Sequence, residues 1–201
     1  ALRQAGYFVV EIDAGPDLVN ELTLADPDVV FNALHGRWGE DGCVQGVLEW
    51  MKLPYTHSGV LCSALAMDKE KTKDVFRGVG LPVVDSLLMA REDLVGAHPM
   101  PLPYVIKPNN EGSSVGVYLV DLGASAPPEL SADMPDMVMV EAFAPGRELT
   151  TTVVGDRALI VTYILTYRWY ACGAKYGEGD ANHSVPAVPF APISQACISY
   201  D

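Results

Sequence analysis

The run Lys107-Pro108-Asn109-Asn110-Glu111-Gly112-Ser113-Ser114-Val115-Gly116-Val117 sets a lysine, two serines and two glycines between two β-rich stretches, residues 103–106 and 117–120. Glycine lets backbone N–H groups come close to a ligand, and those donors together with serine hydroxyls suit phosphate oxygens. Strand, polar loop, strand predicts a hairpin whose tip can close over an anion. The order argues against a P-loop, which needs a helix after its glycines and its lysine at their end. Taken alone, the loop reads equally as a mobile hairpin tip, so its neighbours decide. Lys69 opens a helical stretch, Glu141 ends a strand, Glu148 follows Ala144-Pro145-Gly146, and Lys175-Tyr176 sits in a polar, glycine-flanked segment. Each lysine alone reads as a solvated surface charge. As an ordered series around a glycine-serine flap, they suit a nucleoside triphosphate, each ammonium a point charge matched to phosphate. Glu141 could accept hydrogen bonds from an adenine amino group or ribose hydroxyls. His35, before Gly36, reads as a site residue. His57 and His98 read as ordinary loop residues, and His183 fits either description. No Ser–His–acid order points to a covalent nucleophile.

These groups need elements to hold them. Residues 1–6 resemble a last helical turn stopped by Gly6, and strands are expected over residues 7–12 and 28–34. A helix over residues 43–52 follows Gly39-Glu40-Asp41-Gly42. Strands alternating with helices imply parallel βαβ units, whose ligands bind beyond the carboxyl ends of the strands, where the loop 35–42 lies. Residues 61–79 have the composition of one helix, closed by Gly80 and Pro82. Short strands are then expected at 83–89, 104–107, 117–120 and 137–141, with a surface loop at 124–135. A hairpin joins 147–154 to 157–165 across Gly155-Asp156. The tail from Lys175 shows little periodicity until residue 193, where a helix is expected to begin.

Composition narrows the function classes. The chain has 201 residues, 49% of them hydrophobic, enough for a real core. A formal charge of −13 argues against a nucleic-acid surface, which needs a basic face. No run of 18 apolar residues suggests a membrane span, and no basic and apolar leader opens the chain. Cys43, Cys62, Cys172 and Cys197 lack zinc spacing and disulfide density, which suggests reduced thiols in a cytoplasm.

Several segments together resemble the D-alanine–D-alanine ligases of the ATP-grasp superfamily. They are Ala33-Leu34-His35-Gly36 with Gly39-Glu40-Asp41-Gly42, Gln45-Gly46, Leu53-Pro54-Tyr55-Thr56 and Ser58-Gly59-Val60. The series continues through Ser63-Ala64-Leu65-Ala66-Met67-Asp68-Lys69, the 107–117 flap, Gly146-Arg147-Glu148-Leu149-Thr150 and Ala174-Lys175-Tyr176. The pattern HGxxGEDG followed by SALAMDK is highly specific; the flap motif alone would also suit other ATP-grasp enzymes.

The resemblance implies an α/β fold of ATP-grasp architecture. Its parts would be an N-terminal Rossmann-like parallel-sheet domain (1–64), a small central α+β domain (65–140) and an incomplete C-terminal domain (141–201). It implies phosphorylation of one D-alanine carboxylate by ATP, attack by the amine of a second D-alanine, and a dipeptide for peptidoglycan. By position, Lys69 and Lys107 would hold phosphates, and Ser113 and Ser114 would cover them. Glu141 and Glu148 would hold adenine and ribose, with Phe143 against the base. Lys175 would face the γ-phosphate, Tyr176 would reach toward Ser113, and His35 would lie near the first D-alanine. Tyr176 in place of phenylalanine favours a dipeptide over a depsipeptide. The resemblance further implies Mg²⁺ or Mn²⁺, small-molecule substrates and a homodimer. It places the metal ligands in a C-terminal part not contained here, with a first strand also missing at the front. Ala142, Cys43 and the stretch 169–173 depart from the family pattern. The alternatives are another ATP-grasp carboxylate–amine ligase or a nucleotide-binding remnant without turnover.

Overall fold

Four short apolar runs become strands of one antiparallel sheet in the computed structural model, which describes residues 1–112, 114–166 and 181–184. Its four strands are β1 (Ser86–Ala90), β2 (Tyr104–Pro108), β3 (Tyr118–Val120) and β4 (Met137–Ala142), in the order β1-β4-β2-β3. The sheet belongs to the second of two compact units, Met67–Asp201; the first is Ala1–Ala66. Period-two alternation sorts the side chains by face. Tyr104, Ile106, Val120, Val138 and Val140 pack with Leu94 and Met134 into a dry core. Full burial of such aliphatic side chains contributes about 1.5–3 kcal/mol each. The opposite face carries Val105, Lys107, Met139 and Glu141, so the same alternation that builds the core delivers two charged groups together.

The buried Tyr104 hydroxyl lies 2.9 Å from His98 Nδ1, and His98 Nε2 lies 3.1 Å from the Ala124 carbonyl. A carbonyl can only accept, so Nε2–H donates and Nδ1 accepts from the tyrosine. The 124–135 segment is a loop, as expected, and is tied down: the Arg91 guanidinium donates to the carbonyls of Ser131, Ala132 and Met134.

One expected helix is two. Asp68 leaves helical geometry (φ −87°, ψ 100°), ending α3 (Val60–Met67), and its carboxylate accepts from the Lys71 N–H to cap α4 (Lys69–Gly78). Aspartate favours this capping geometry over continued helix, which the helical composition on either side had masked. The Gly155-Asp156 hairpin forms between β5 (Glu148–Val154) and β6 (Arg157–Thr166), with an irregularity between Thr151 and Val153. A strand not anticipated, β7 (Ala181–Ser184), pairs with β6. The helix expected from residue 193 lies outside the described residues.

In the first unit, α2 (Cys43–Met51) matches expectation, and α1 (Leu18–Ala25) is an addition. Leu22, Val44 and Leu48 form its core with Ile12, Val30, Leu34 and Leu53 around them. The expected strands over 7–12 and 28–34 are not ladders. Residues 7–12 carry no strand pairing, and the second segment makes one parallel bridge, Val30 to Tyr55. A strand exists only where a neighbour supplies its hydrogen bonds, and here those bonds are Val30 N–H to Pro54 O and Thr56 N–H to Val30 O. Among the described residues no helix is long and apolar enough to cross a membrane.

Candidate functional site

Register brings Lys107 to Glu141. Val105 pairs with Glu141 across β2 and β4, so Lys107, two residues on, is its diagonal neighbour on the same face. Lys107 Nζ lies 2.7 Å from Glu141 Oε2, and Lys73 Nζ, from α4, lies 3.3 Å from that oxygen. Both contacts are ion pairs to the same carboxylate oxygen. Lys73 also donates to the Val84 carbonyl at 2.9 Å. The three side chains are only 11% (Lys73), 17% (Glu141) and 22% (Lys107) exposed, so water screens the cluster poorly.

Lys69 stands beside this cluster. Its Nζ donates to the carbonyls of Asn109 (3.1 Å) and Glu111 (2.6 Å) at the root of the flap. Burial, then the nearby Lys107 charge, pushes its ammonium down from 10.5 to about 8, against the opposing pull of Glu111, Glu141 and Asp68. The first turn of α4 is fastened to the same place. Asn109 donates to Asp68 Oδ1 at 2.8 Å and accepts from the Glu70 N–H, while the Lys69 N–H donates to the Asn109 carbonyl. Burial alone would raise the Asp68 carboxyl, but the donors Asn109, Lys71 and Asn110 outweigh it and hold it below the usual range. Three lysines thus share this region with Glu141 in a chain of net charge −13. Glu141, Asp68 and Glu111 offset these charges locally, so what the cluster offers an anionic ligand is convergent ammoniums rather than a net positive charge.

At the flap tip, Ser114 and Gly116 take left-handed backbone (φ 59° and 65°). A Cβ on Gly116 would meet Met134 Sδ at 2.5 Å and Pro108 Cγ at 3.2 Å, so only glycine fits this return toward β3. Half-buried Phe143 follows β4, its N–H donating to the Pro103 carbonyl, and Glu148 opens β5 on an exposed position. Ser113, Lys175 and Tyr176 lie outside the described residues, as does the His183 side chain.

The structure therefore gathers Lys69, Lys107 and Glu141 and adds Lys73, Asp68 and Asn109. Lys73 had a signal in the sequence: it lies one helical turn beyond Lys69, on the same face. Asn109 gave none, since its role is to tie α4 to a hairpin forty residues away.

In the first unit, the loop around His35 is built on Asn32. Its Nδ2 and the buried Gln45 Nε2 both donate to the Gly39 carbonyl, at 2.9 and 2.8 Å. Asp41 accepts from the N–H groups of Trp38 and Cys43. Burial works to raise its carboxyl, yet these donors prevail and lower it. Gly42 (φ 92°) opens α2 where a Cβ would meet the Val60 carbonyl at 2.7 Å. His35 stands exposed on this rigid support.

Two family descriptions match the chain: "D-ala D-ala ligase N-terminus" over residues 12–58 and "D-ala D-ala ligase C-terminus" over residues 75–196. The chain belongs to the D-ala D-ala ligase family. Among its relatives, the D-alanine–D-alanine ligase of Ruegeria sp. (strain TM1040) is 61% identical over 200 residues, covering 100% of this chain and 65% of that protein. That of Roseobacter denitrificans is 64% identical, covering 100% and 63%. Among solved structures, D-alanine–D-alanine ligase from Bacillus anthracis superposes with a TM-score of 0.65 at 26% identity, covering 92% of this chain and 63% of the other. This family member thus spans less than two thirds of the length of these relatives. Its mixed α/β fold with antiparallel sheets is shared with a solved ligase of the family; among the described residues the expected parallel N-terminal sheet does not form, and Val30–Tyr55 is an isolated parallel bridge. Among the described residues, no group of three His, Cys, Asp or Glu could hold a metal ion. The described residues do not fit the Mg²⁺ or Mn²⁺ implied by the resemblance.

Proposed function

We propose that the protein is an ATP-dependent, ADP-forming ligase that joins two D-alanines through an acyl phosphate, for peptidoglycan precursor synthesis in the cytoplasm. The convergence of Lys69 and Lys107 at the root of a glycine-serine hairpin carries this reading, beside membership of the family. In it, the two ammoniums take the ATP phosphates, with Ser113, Ser114 and Lys175 closing around them. Glu141, Phe143 and Glu148 receive adenine and ribose. Tyr176 engages the flap, and His35 lies by the first D-alanine. The finer architecture belongs to the same reading: an N-terminal Rossmann-like part (1–64), a central part (65–140) and the beginning of a C-terminal part (141–201), assembled as a homodimer.

The chemistry asks little covalent work of the protein. Acyl-phosphate formation moves charge onto phosphate oxygens, and amine attack moves it onto a tetrahedral carbon, so fixed ammoniums and N–H dipoles do the stabilising. Holding the reactants in place is worth about 7–11 kcal/mol. A hairpin that closes also keeps water from the acyl phosphate.

Phosphate release from ATP by the full chain, with and without D-alanine, tests the proposal. Release that depends on D-alanine supports it. Release that depends on another amino acid, with D-alanine silent, moves the reading to a different carboxylate–amine ligase.

A further inference from the structure

Glu141 poses a problem for the reading above. Its Oε2 is held by two ammoniums at once, Lys107 at 2.7 Å and Lys73 at 3.3 Å, in surroundings where the carboxylate is only 17% exposed. If Lys107 turns to a polyphosphate, Glu141 loses its nearest cation. A shielded carboxylate left without a partner takes up a proton or withdraws toward solvent. Either change spoils it as an acceptor for an amino group, because only the ionised form offers all its lone pairs to donors.

Lys73 answers the problem. Its ammonium has two anchors on the protein, Glu141 and the Val84 carbonyl at 2.9 Å just before β1, and its side chain is the most buried of the three. Burial lowers its proton affinity while the Glu141 charge works to restore it. Unlike Lys107, which sits at the flap strand, Lys73 rises from the middle of α4. One turn earlier the same helix presents Lys69, and its first turn is bonded to Asn109 at the flap root. A single rigid helix therefore carries the lysine at the phosphate end and the lysine behind the base-binding carboxylate.

Resting on the nucleotide reading of this site, we propose that Lys73 is a positioning residue: it holds the Glu141 carboxylate in place and aimed at the base when Lys107 leaves Glu141 for phosphate. Lys73 touches no part of the nucleotide. It acts through Glu141 and separates recognition of the base from recognition of the phosphates.

The test measures binding of ATP and of inorganic tripolyphosphate to the full chain by titration calorimetry, for the wild type, Lys73→Met, Lys73→Arg and Glu141→Gln. Lys73→Met is expected to weaken ATP about tenfold or more, the range of a lost charge-assisted contact. Tripolyphosphate, which has no base, should change by less than about threefold, since only a screened, distant charge is removed. Lys73→Arg should recover most of the ATP affinity. Where Lys73→Met does not fold, Lys73→Gln retains a donor for the Val84 carbonyl and the same ratio of affinities is read. Equal weakening of both ligands would make Lys73 a merely structural residue and overturn the inference. So would unchanged ATP affinity in Lys73→Met while Glu141→Gln weakens ATP, a result that leaves the nucleotide reading standing. If Glu141→Gln itself leaves ATP binding untouched, the placement of the base fails, and the inference with it.

Discussion

Raising the pH should discharge Lys69 well before any ordinary lysine. With its ammonium at about 8 rather than 10.5, about one molecule in ten carries a neutral Lys69 at pH 7 and about nine in ten at pH 9. The direction for stability follows from proton binding. Between about 8 and 10.5 the unfolded chain holds this proton more tightly than the folded one, so folding gains as pH rises through that window. Below about 8 both states are protonated and the folded chain bears the whole cost. A displacement from 10.5 to about 8 would amount to about 3.4 kcal/mol for a fully shielded group. Part of Lys69 faces water, and screening brings the expected gain to about 1–2 kcal/mol. Competitive acetylation of amines, read peptide by peptide by mass spectrometry against pH, reports the midpoint directly. Lys107→Met removes the second-largest cause of the depression and should move that midpoint upward. Urea unfolding of the wild type and Lys69→Met at several pH values supplies the energetic half. The reasoning is refuted if Lys69 titrates with the surface lysines near ~10.4, or if Lys107→Met leaves its midpoint in place.

Other consequences are simpler. Asp68→Ala removes the α4 cap and the acceptor of Asn109, and should cost about 1–2 kcal/mol, seen as a lower urea midpoint with unchanged slope. Gly116→Ala forces a side chain onto left-handed backbone against Met134 and should cost about 1–2 kcal/mol in thermal unfolding. If it folds as stably as the wild type, the described flap geometry is wrong. Lys107→Ala should weaken ATP about tenfold to a hundredfold in calorimetry; undiminished affinity would remove Lys107 from the phosphate end of the site.

How much of this was legible before folding varies element by element. Residues 104–108 and 137–142 declare themselves as strands because each opens on a short apolar run containing Val, Ile or Tyr and bounded by turn residues, and the Gly155-Asp156 turn declares its hairpin. Near its end each run carries one charged residue, Lys107 or Glu141, which shares a strand face with Val105 or Met139. Period two does not say that the strands are neighbours. Only the pairing of Val105 with Glu141 puts the two charges 2.7 Å apart.

Failures in the sequence reading share one cause, dependence on a partner remote in the chain. Residues 7–12 and 28–34 have strand composition, yet a ladder requires a neighbour, and composition cannot supply one. Asp68 divides a run of helical composition because its carboxylate finds the Lys71 N–H and the Asn109 amide, the second contributed by the hairpin. Lys73 looks like one more solvated charge on a polar helix until burial against β4 and Val84 makes it an interior cation.

Taken by itself, the sequence determined the types of chemical group, the family they belong to and the local elements that bear them, because these depend on neighbours a few residues away. The tertiary structure alone decided which charges meet and how far Lys69 loses its affinity for a proton. Coulomb energy and desolvation depend on distances through space and on exclusion of water, and neither is written in the order of residues along the chain.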